Sequence, residues 1–315
     1  MPVAAVLLLA LLLCHWPSRA RAQADDFNDG NDAGWSHYDP LGAAAALAGQ
    51  GPKASFTFPS GGYRIQAQPF TALGSLGPAR AASFRHDVSY SKFYASVDLV
   101  KWDNALEQAF GFLSRITLID PMIGGLPTGT NGPGAVNGYT MNYLNVDHAL
   151  QINRLASEAP TTIGEVSVTL NPTNQYRLVF TGDGPALEGR VYLLSDLSAP
   201  LATVNASDGT YFSGVNGLFV YNNQDNNHAA DVTYDNFFAD TAPPPSLTVQ
   251  QVFSDEIYVI WPPEPPGYAL QCATNLSPPR VWTDVTNGIV QFPDFNRYQF
   301  DLSLEHKFFR LKKSF

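Results

Sequence analysis

The sequence predicts an all-β protein in which two antiparallel sheets pack face to face. Hydrophobic residues make up 45% of the 315 residues, and charged residues make up only 15%, below the usual share of roughly one quarter. The 25 glycines and 24 prolines supply turns, and short segments of alternating polar and apolar residues recur along the chain. This combination is typical of short strands joined by turns and not of long helices.

The alternation is clearest at 63–67, where Tyr63, Ile65 and Ala67 are separated by polar residues. The longest strand candidates are 93–102 and 109–118. Further candidates are 138–146, 149–156, 166–170, 176–181, 187–195, 217–221 and 232–239. Glycines flank the alanine-rich segment 43–48 on both sides, so we expect no helix there.

The segment 121–138 differs from its surroundings because it is long, glycine-rich and uncharged. Loops of this length often carry function. A flexible hairpin tip fits the same composition, and the sequence leaves both interpretations open.

Two composition changes divide the chain. An unbroken apolar run, Val3 to Cys14, has signal-peptide length, and small-x-small cleavage sites end at Ala22 and Ala24. A proline run at 243–245 cannot continue a sheet. We therefore expect a signal peptide at 1–24, a β domain at 25–240, a linker at 241–246 and a small β module at 247–315. Export to the cell envelope or the exterior follows, and no other apolar run is long enough to span a membrane.

The charge distribution excludes one class of partner. Cleavage after Ala24 leaves 16 basic and 28 acidic side chains, and residues 25–242 hold 10 and 21 of them. An acidic domain repels phosphate backbones, so we expect no nucleic-acid partner. Outside the signal peptide Cys272 is the one cysteine, which precludes an internal disulfide and suggests a small buried side chain.

Several segments of 25–240 resemble the concanavalin A-like lectin/glucanase jelly roll of exported bacterial proteins. They are the opening 25–30 followed by Trp35, the strand pair 176–180 and 187–191, and the closing pair 217–221 and 231–237. At the C-terminus, 270–276, 282–285 and 308–311 resemble a small β-sandwich-like module that ends many such proteins. The resemblance implies a concanavalin A-like jelly-roll sandwich of two antiparallel sheets, followed by that module.

The resemblance also implies a structural calcium ion where the first and last jelly-roll strands meet. Calcium takes about six to eight oxygen ligands, many of them from carboxylates. Asp26 lies in the opening segment, and Asp235 shares a sheet face with Asp231 in the closing one. We therefore expect Asp26 and Asp235 as ligands, and the alternative is that they are ordinary turn and strand-end acids.

The sequence lacks the catalytic motif of the glucanases in this superfamily. Those enzymes carry Glu-x-Asp-x-x-Glu, whose carboxylates cleave the glycosidic bond. No glutamate of this chain has an aspartate two residues later, and neither His-x-x-x-His nor Gly-x-Ser-x-Gly occurs. The sequence therefore gives no support for a catalytic site.

Five residues are candidates for binding a glycan. Trp102, Tyr139 and Tyr143 lie on or beside central strands and offer flat rings for a sugar. Arg115 and Arg154 interrupt apolar strands. A charge on a central strand faces solvent, a groove or a partner acid, so a polar concave face, an outer sheet face and a structural ion pair all fit.

Our leading hypothesis is an exported, non-catalytic protein that binds polysaccharide or a cell-surface glycan. The first alternative is a hydrolase or lyase that acts on polysaccharide through an unrecognised site, and the second is a structural envelope protein. A convergent pair of acids would favour the enzyme. An aromatic-lined groove would favour binding, and a convex surface without a groove would favour the structural role.

We predict that the mature protein begins at Gln23 or Asp25, because these residues follow the two cleavage sites. N-terminal sequencing of the protein isolated from its native host checks this. A native chain that still begins at Met1 would contradict export.

Overall fold

The computed structural model describes residues 22–71, 76–119, 122–123, 126–127, 130–252, 256–263, 267–275, 281–301 and 307–313. The strands of the first 240 residues are β1 Gln23–Asp25, β2 Trp35–Tyr38, β3 Ala54–Thr57, β4 Tyr63–Ala67, β5 Arg80–Tyr90, β6 Phe93–Trp102, β7 Gln108–Leu118, β8 Met122–Ile123, β9 Leu126–Pro127, β10 Val136–Leu144, β11 Ala149–Ala156, β12 Ala159–Ser167, β13 Tyr176–Asp183, β14 Ala186–Leu193, β15 Ala202–Ser207, β16 Gly214–Asn222 and β17 Ala230–Asp240. A helix, α1 Pro40–Leu47, follows β2, and a 3₁₀ turn, Pro59–Gly61, precedes β4.

These strands form two large antiparallel sheets. The eight-stranded sheet has the order β15–β14–β13–β6–β17–β4–β3, and its eighth strand, β1, pairs with β17. The seven-stranded sheet has the order β12–β11–β10–β7–β16–β5–β2. Because β6 and β7 enter different sheets and pair with strands from much later in the chain, the connections cross between the sheets. The predicted concanavalin A-like jelly-roll sandwich is confirmed.

One large core fills the space between the two sheets. Alternate residues of facing strands supply it, for example Val97 and Leu99 from β6 and Phe110 and Phe112 from β7. Burial of each side chain of this size contributes about 1.5–3 kcal/mol. All members of this core lie between Phe27 and Ala239 in the sequence, so the first 240 residues bury their apolar side chains among themselves.

The alanine-rich segment forms α1, and the expectation of no helix there was wrong. The Asp39 carboxylate caps the helix by accepting the Gly42 N–H at 2.8 Å, and Pro40 stands in the first turn. The helix then packs Leu41 and two alanines against Phe70. Capping therefore outweighs Gly42, which lies inside the helix, and Gly49 follows the C-terminal end of the helix. Within the described ranges, no helix is long and apolar enough to span a membrane.

The structure differs in detail from two expectations drawn from the sequence. The opening segment 25–30 is mostly turn, and the strand before it is β1. In the segment 121–138, β8 pairs with β9 and the strand β10 begins at Val136. Residues 121, 124–125 and 128–129 of that segment lie outside the described residues, so its proposed functional loop is only partly covered.

The position of β1 discriminates between the two cleavage sites. Gln23 pairs with Ala239 of β17, its side chain is buried, and its amide nitrogen donates to Asp87 at 2.5 Å. Cleavage after Ala22 would keep β1 whole, whereas cleavage after Ala24 would remove two of its three residues. Gln23 is therefore the N-terminus that we expect of the two.

The C-terminal residues form a small β-sandwich-like unit, as the sequence predicts. Its strands are β18 Thr248–Gln251, β19 Glu256–Trp261, β20 Tyr268–Ala273, β21 Thr283–Asp284, β22 Ile289–Gln291, β23 Asn296–Asp301 and β24 Phe308–Lys313. One sheet has the order β18–β19–β23–β22 and the other β21–β20–β24. Val259, Trp261 and Leu270 form a core between them, and Cys272 is half-buried on β20.

The C-terminal unit contacts the jelly roll through an ion pair between the Lys313 ammonium and the buried Asp240 carboxylate. The two apolar cores are nevertheless made of different residues, since the smaller one draws only on positions from Leu247 to Leu311. The boundaries of the domains and of the linker remain a prediction that this difference motivates.

We predict that a fragment of residues 23–242 folds alone, because it contains the whole main core. Circular dichroism should show β structure and a cooperative melt. The midpoint should lie below that of the full chain, because the fragment lacks the ion pair between Asp240 and Lys313. Full-length Lys313→Ala is the matched control and should lose a similar increment. A molten fragment beside a folded full chain would show that the two units share one core.

Candidate functional site

A groove of about 300 Å³ lies on the face of the seven-stranded sheet that points away from the main core. The side chains that line it come mainly from β5, β7, β10, β11 and β16. They include Tyr38, Arg80, Ala82, Ala109, Leu113, Val136, Thr140, Asn142, Leu144, Asp147, Gln151, Asn153, Leu155, Glu158, Pro160, Thr162, Phe219, Tyr221 and Asn223. The volume is at the low end of the range for small-molecule sites, about 300–1,000 Å³.

The alternation of β10 decides which of its residues reach the groove. Tyr139, Met141 and Tyr143 point into the main core, whereas Thr140 and Asn142 point into the groove. The sequence interpretation of Tyr139 and Tyr143 therefore identified a strand of the site but the wrong face of that strand. Their rings are buried and present no surface to a sugar.

Trp102 lies on the other sheet and is also a core residue. Its ring is 5.5 Å from that of Phe110 and 6.3 Å from that of Tyr143, and its N–H donates to Asn104 at 3.1 Å. Only 4% of the residue is exposed. The expectation that Trp102 stacks on a ligand is corrected, because its packing partners occupy the space on its faces.

Arg115 is a buried residue that links three loops by hydrogen bonds, and it is not a ligand-binding residue. Its guanidinium donates to the carbonyl oxygens of Ser91 at 2.6 Å, Gly184 at 2.8 Å and Tyr211 at 3.1 Å, and it lies over the Phe93 ring. Burial lowers the pKa of Arg115. A positive φ of 51° at a register shift turns this side chain to the edge of the sandwich, which simple alternation could not predict.

Arg154 forms the structural ion pair that the sequence left as an alternative. One guanidinium nitrogen lies 3.1 Å from a carboxylate oxygen of Asp208, and the Tyr139 hydroxyl donates to the other oxygen at 2.7 Å. Arg154 is half-buried and does not line the groove. None of the five predicted binding residues is brought to this site.

Uncharged polar side chains form a connected row along one side of the groove. The Asn153 amide donates to the Thr140 hydroxyl at 3.1 Å and to the Asn142 carbonyl oxygen at 2.8 Å. The Thr162 hydroxyl donates to Asn153 at 2.7 Å, and Asn142 donates to Gln151 at 3.4 Å. Such groups both donate and accept, as sugar hydroxyls do. Asn142 and Asn153 are almost fully buried. The half-buried Gln151 and the exposed Thr162 are therefore the members of the row that can exchange hydrogen bonds with a polyol.

Apolar side chains form a second part of the groove lining. Leu113 and Leu144 lie beneath it, and Phe219 and Tyr221 of β16 add two half-buried aromatic rings. A carbohydrate site combines such apolar faces with a few well-placed polar groups. The sequence analysis did not predict these lining residues. A signal was available, because uncharged polar residues occupy every second position of two strands, at Thr140 and Asn142 and at Gln151 and Asn153.

A hairpin tip reaches across the groove and is held on its far side. Glu158 lies in the turn between β11 and β12, near one edge of the sheet, whereas Tyr38 and Arg80 belong to β2 and β5 at the other edge. Arg80 Nε donates to the Glu158 carboxylate at 2.8 Å, and the Tyr38 hydroxyl donates to the same carboxylate. Burial, and then Glu158, raise the pKa of Tyr38, so this hydroxyl stays protonated. We call these three residues the clasp.

The predicted calcium ligands lie near each other but do not form a complete site. Burial raises the pKa of Asp235 to about 6, and the neighbouring carboxylates of Asp98, Asp26 and Asp25 contribute to this rise. Asp98 is already paired with Arg177 at 2.7 Å. In the part of the chain that the structure describes, no group of three or more His, Cys, Asp or Glu side chains could hold a metal ion. Asp26 and Asp235 do not by themselves provide a calcium shell, and calcium remains a prediction.

Comparison with known proteins gives remote structural likenesses only. No protein-family model matches the chain, and no curated protein matches it. The carbohydrate-binding module CBM66 from Bacillus subtilis is 14% identical with a TM-score of 0.44, over 67% of this chain and 97% of that one. Lectin II from Ulex europaeus is 13% identical with a TM-score of 0.41, over 71% and 99%. The VIP36 exoplasmic/lumenal domain, in its Ca²⁺/Man2-bound form, is 9% identical with a TM-score of 0.44, over 70% and 87%. The fold assignment above depends on sheet order and register and not on these likenesses.

We predict that calcium raises the melting midpoint of the mature protein by several degrees. Calcium at 100 times its dissociation constant would add about 2.7 kcal/mol, and each kcal/mol shifts the midpoint of a chain of this size by roughly 2–4 °C. Asp235→Asn should abolish the shift, whereas Asp183→Asn, at an exposed carboxylate, should keep it. Equal midpoints of the parent in calcium and in chelator would exclude the site.

Proposed function

We propose that this chain is an exported, non-catalytic carbohydrate-binding protein that holds a polysaccharide or a cell-surface glycan in the groove of its seven-stranded sheet. The observation that supports this best is the row of uncharged amide and hydroxyl groups beside an apolar wall. Sugars present both kinds of surface, because their ring carbons are apolar and their hydroxyls donate and accept hydrogen bonds.

The row is fixed before any ligand arrives. Thr140 pairs with Asn153 across β10 and β11, and Asn153 pairs with Thr162 across β11 and β12, with the shift in register falling between Ile152 and Asn153. Neighbouring strands lie about 4.8 Å apart, so members of the row on neighbouring strands are spaced by about that distance. The hydrogen bonds within the row hold each side chain in one rotamer, which reduces the entropy lost on binding.

The carboxylates of the groove are placed unlike those of a glycosidase. Asp147 and Glu158 are the two acids among the described lining residues. They lie in the turns before and after β11, an eight-residue strand that spans roughly 25 Å at about 3.3 Å per residue. Glycosidase pairs stand about 5–10 Å apart, and Glu158 is already engaged by Arg80. The arrangement supports binding over hydrolysis.

The remaining parts of the proposal rest on sequence. Export to the envelope or the exterior follows from the apolar N-terminal run and its cleavage sites. The acidic balance of residues 25–242 argues against nucleic acid as a partner. Calcium, if bound near Asp26 and Asp235, would stabilise the jelly roll away from the groove and take no part in sugar recognition.

We predict that Gln151→Ala and Thr162→Ala each weaken glycan binding by roughly 3- to 10-fold, because each removes about one net hydrogen bond of 0.5–1.5 kcal/mol. Both residues lie toward the edge of the row and are less buried than Asn142 and Asn153, so the fold should survive the change. A glycan array identifies a bound sugar, and isothermal titration calorimetry then measures each variant.

Asn205→Ala is the matched control, because Asn205 is an exposed amide on β15 of the other sheet. Its affinity should equal that of the parent. The proposal would be overturned if no glycan bound the parent, or if the groove variants and Asn205→Ala bound a glycan as well as the parent does.

A further inference from the structure

We propose that the groove is closed at one end by the clasp and therefore binds the terminal residues of an uncharged glycan chain, not an internal segment. This inference rests on the proposed function of the same groove. It concerns which part of a glycan enters and which class of glycan is accepted.

The clasp spans the width of the sheet. Three strands, β10, β7 and β16, separate β11 from β5 in the sheet order, a span of roughly 19 Å at about 4.8 Å per strand. Glu158 nevertheless contacts Arg80 and Tyr38, so the hairpin tip crosses the outward face of the sheet. The Glu158 N–H donates to the Val136 carbonyl at 2.8 Å, which fixes the tip from below.

Within the described part of the chain, buried side chains fill the space behind the clasp, and we infer that a longer glycan finds no exit there. A second apolar cluster lies there on the outward face of the sheet and includes Phe84, Ile116 and Ala135. Tyr38 belongs to both the cluster and the groove lining, and its hydroxyl oxygen also lies 2.8 Å from the Gly132 carbonyl oxygen. The clasp and this cluster together form an end wall.

The groove volume is consistent with an end wall. About 300 Å³ is at the lower limit of small-molecule sites, which suits one or two sugar units and not an extended run of them. We infer that further units of a chain project past the exposed Asp147 turn into solvent, where we expect no contacts with the described lining residues.

The charges of the groove favour an uncharged glycan. Arg80 is the one cationic residue among the described lining residues, and its charge is compensated by Glu158 with a nitrogen–oxygen distance of 2.6 Å. Two further bonds from Arg80 go to the carbonyl oxygens of Leu76 and Pro78. Recognition of carboxylate or sulfate groups needs an available guanidinium or ammonium, and the exposed Asp147 would repel such groups.

The test uses the mature parent protein and neutral gluco-, xylo-, manno-, galacto- and fructo-oligosaccharides of two to six units, measured by calorimetry. For the series that binds, we expect affinity to change less than about twofold beyond three units, because added units make no new contacts. For the matching polymer, partial cleavage to half the mean length should double the binding capacity per gram, since capacity then counts chain ends. Uronic acid oligomers should bind at least about tenfold more weakly.

The outcomes separate this inference from the function on which it rests. No binding to any member of the panel would contradict the proposed function. Affinity that grows steadily to six units, with a capacity per gram that cleavage leaves unchanged, would overturn the closed groove and leave the carbohydrate-binding function intact. Tighter binding of the uronic acid oligomers would overturn the proposed ligand class.

A variant tests the clasp itself. Glu158→Ala removes both contacts across the groove and should raise the capacity for uncleaved polymer toward that of internal binding. Glu188→Ala on β14 of the other sheet is the control and should leave the capacity unchanged. Unchanged capacity in a folded Glu158→Ala protein would contradict the end wall, and the oligosaccharide series decides the question by itself if this variant does not fold.

Discussion

The two large sheets share one core, so each strand of these sheets must point alternate side chains into that core. This constraint fixes the whole site. On β10 it commits Tyr139, Met141 and Tyr143 to packing and leaves Thr140 and Asn142 on the outward face. A shift of register by one residue would exchange the two sets, burying amides in the core and exposing large rings. The polar row exists because the core on the other side of the sheet holds each strand in place.

Two polar residues adjust the edges of this sandwich. Arg115 leaves the regular alternation at a bulge and donates to three loop carbonyls from a fully buried position, which offsets part of the cost of burying its charge. Glu158 acts on the outward face of the seven-stranded sheet, where its contact with Arg80 holds a hairpin tip over the sheet. The first contact closes the side of the core, and the second limits the length of the groove. Both show charged groups used for shape and not for chemistry.

Much of the fold could be predicted from local pattern, and little of the site could. The segments 93–102 and 149–156 coincide with β6 and β11, because their apolar runs are long and bounded by turns. The strand β5 was missed because polar residues occupy its second half. The prediction of the site residues fails for a different reason. Alternation defines the two faces of a strand but does not indicate which face meets the other sheet, so the sequence analysis places the aromatic residues on the outward face. Glu158 and Arg80 are 78 residues apart, and no local signal links them.

The central claim is that a sugar binds on the polar row, and the most direct measurement is an NMR titration that observes side-chain amide groups. On addition of a neutral oligosaccharide that the protein binds, the NH₂ signals of Asn142, Asn153 and Gln151 should shift together with one dissociation constant. Those of Asn104 and Asn205, which lie outside the groove, should not move. Shifts confined to amides elsewhere on the protein, with the three groove signals unchanged, would contradict the account.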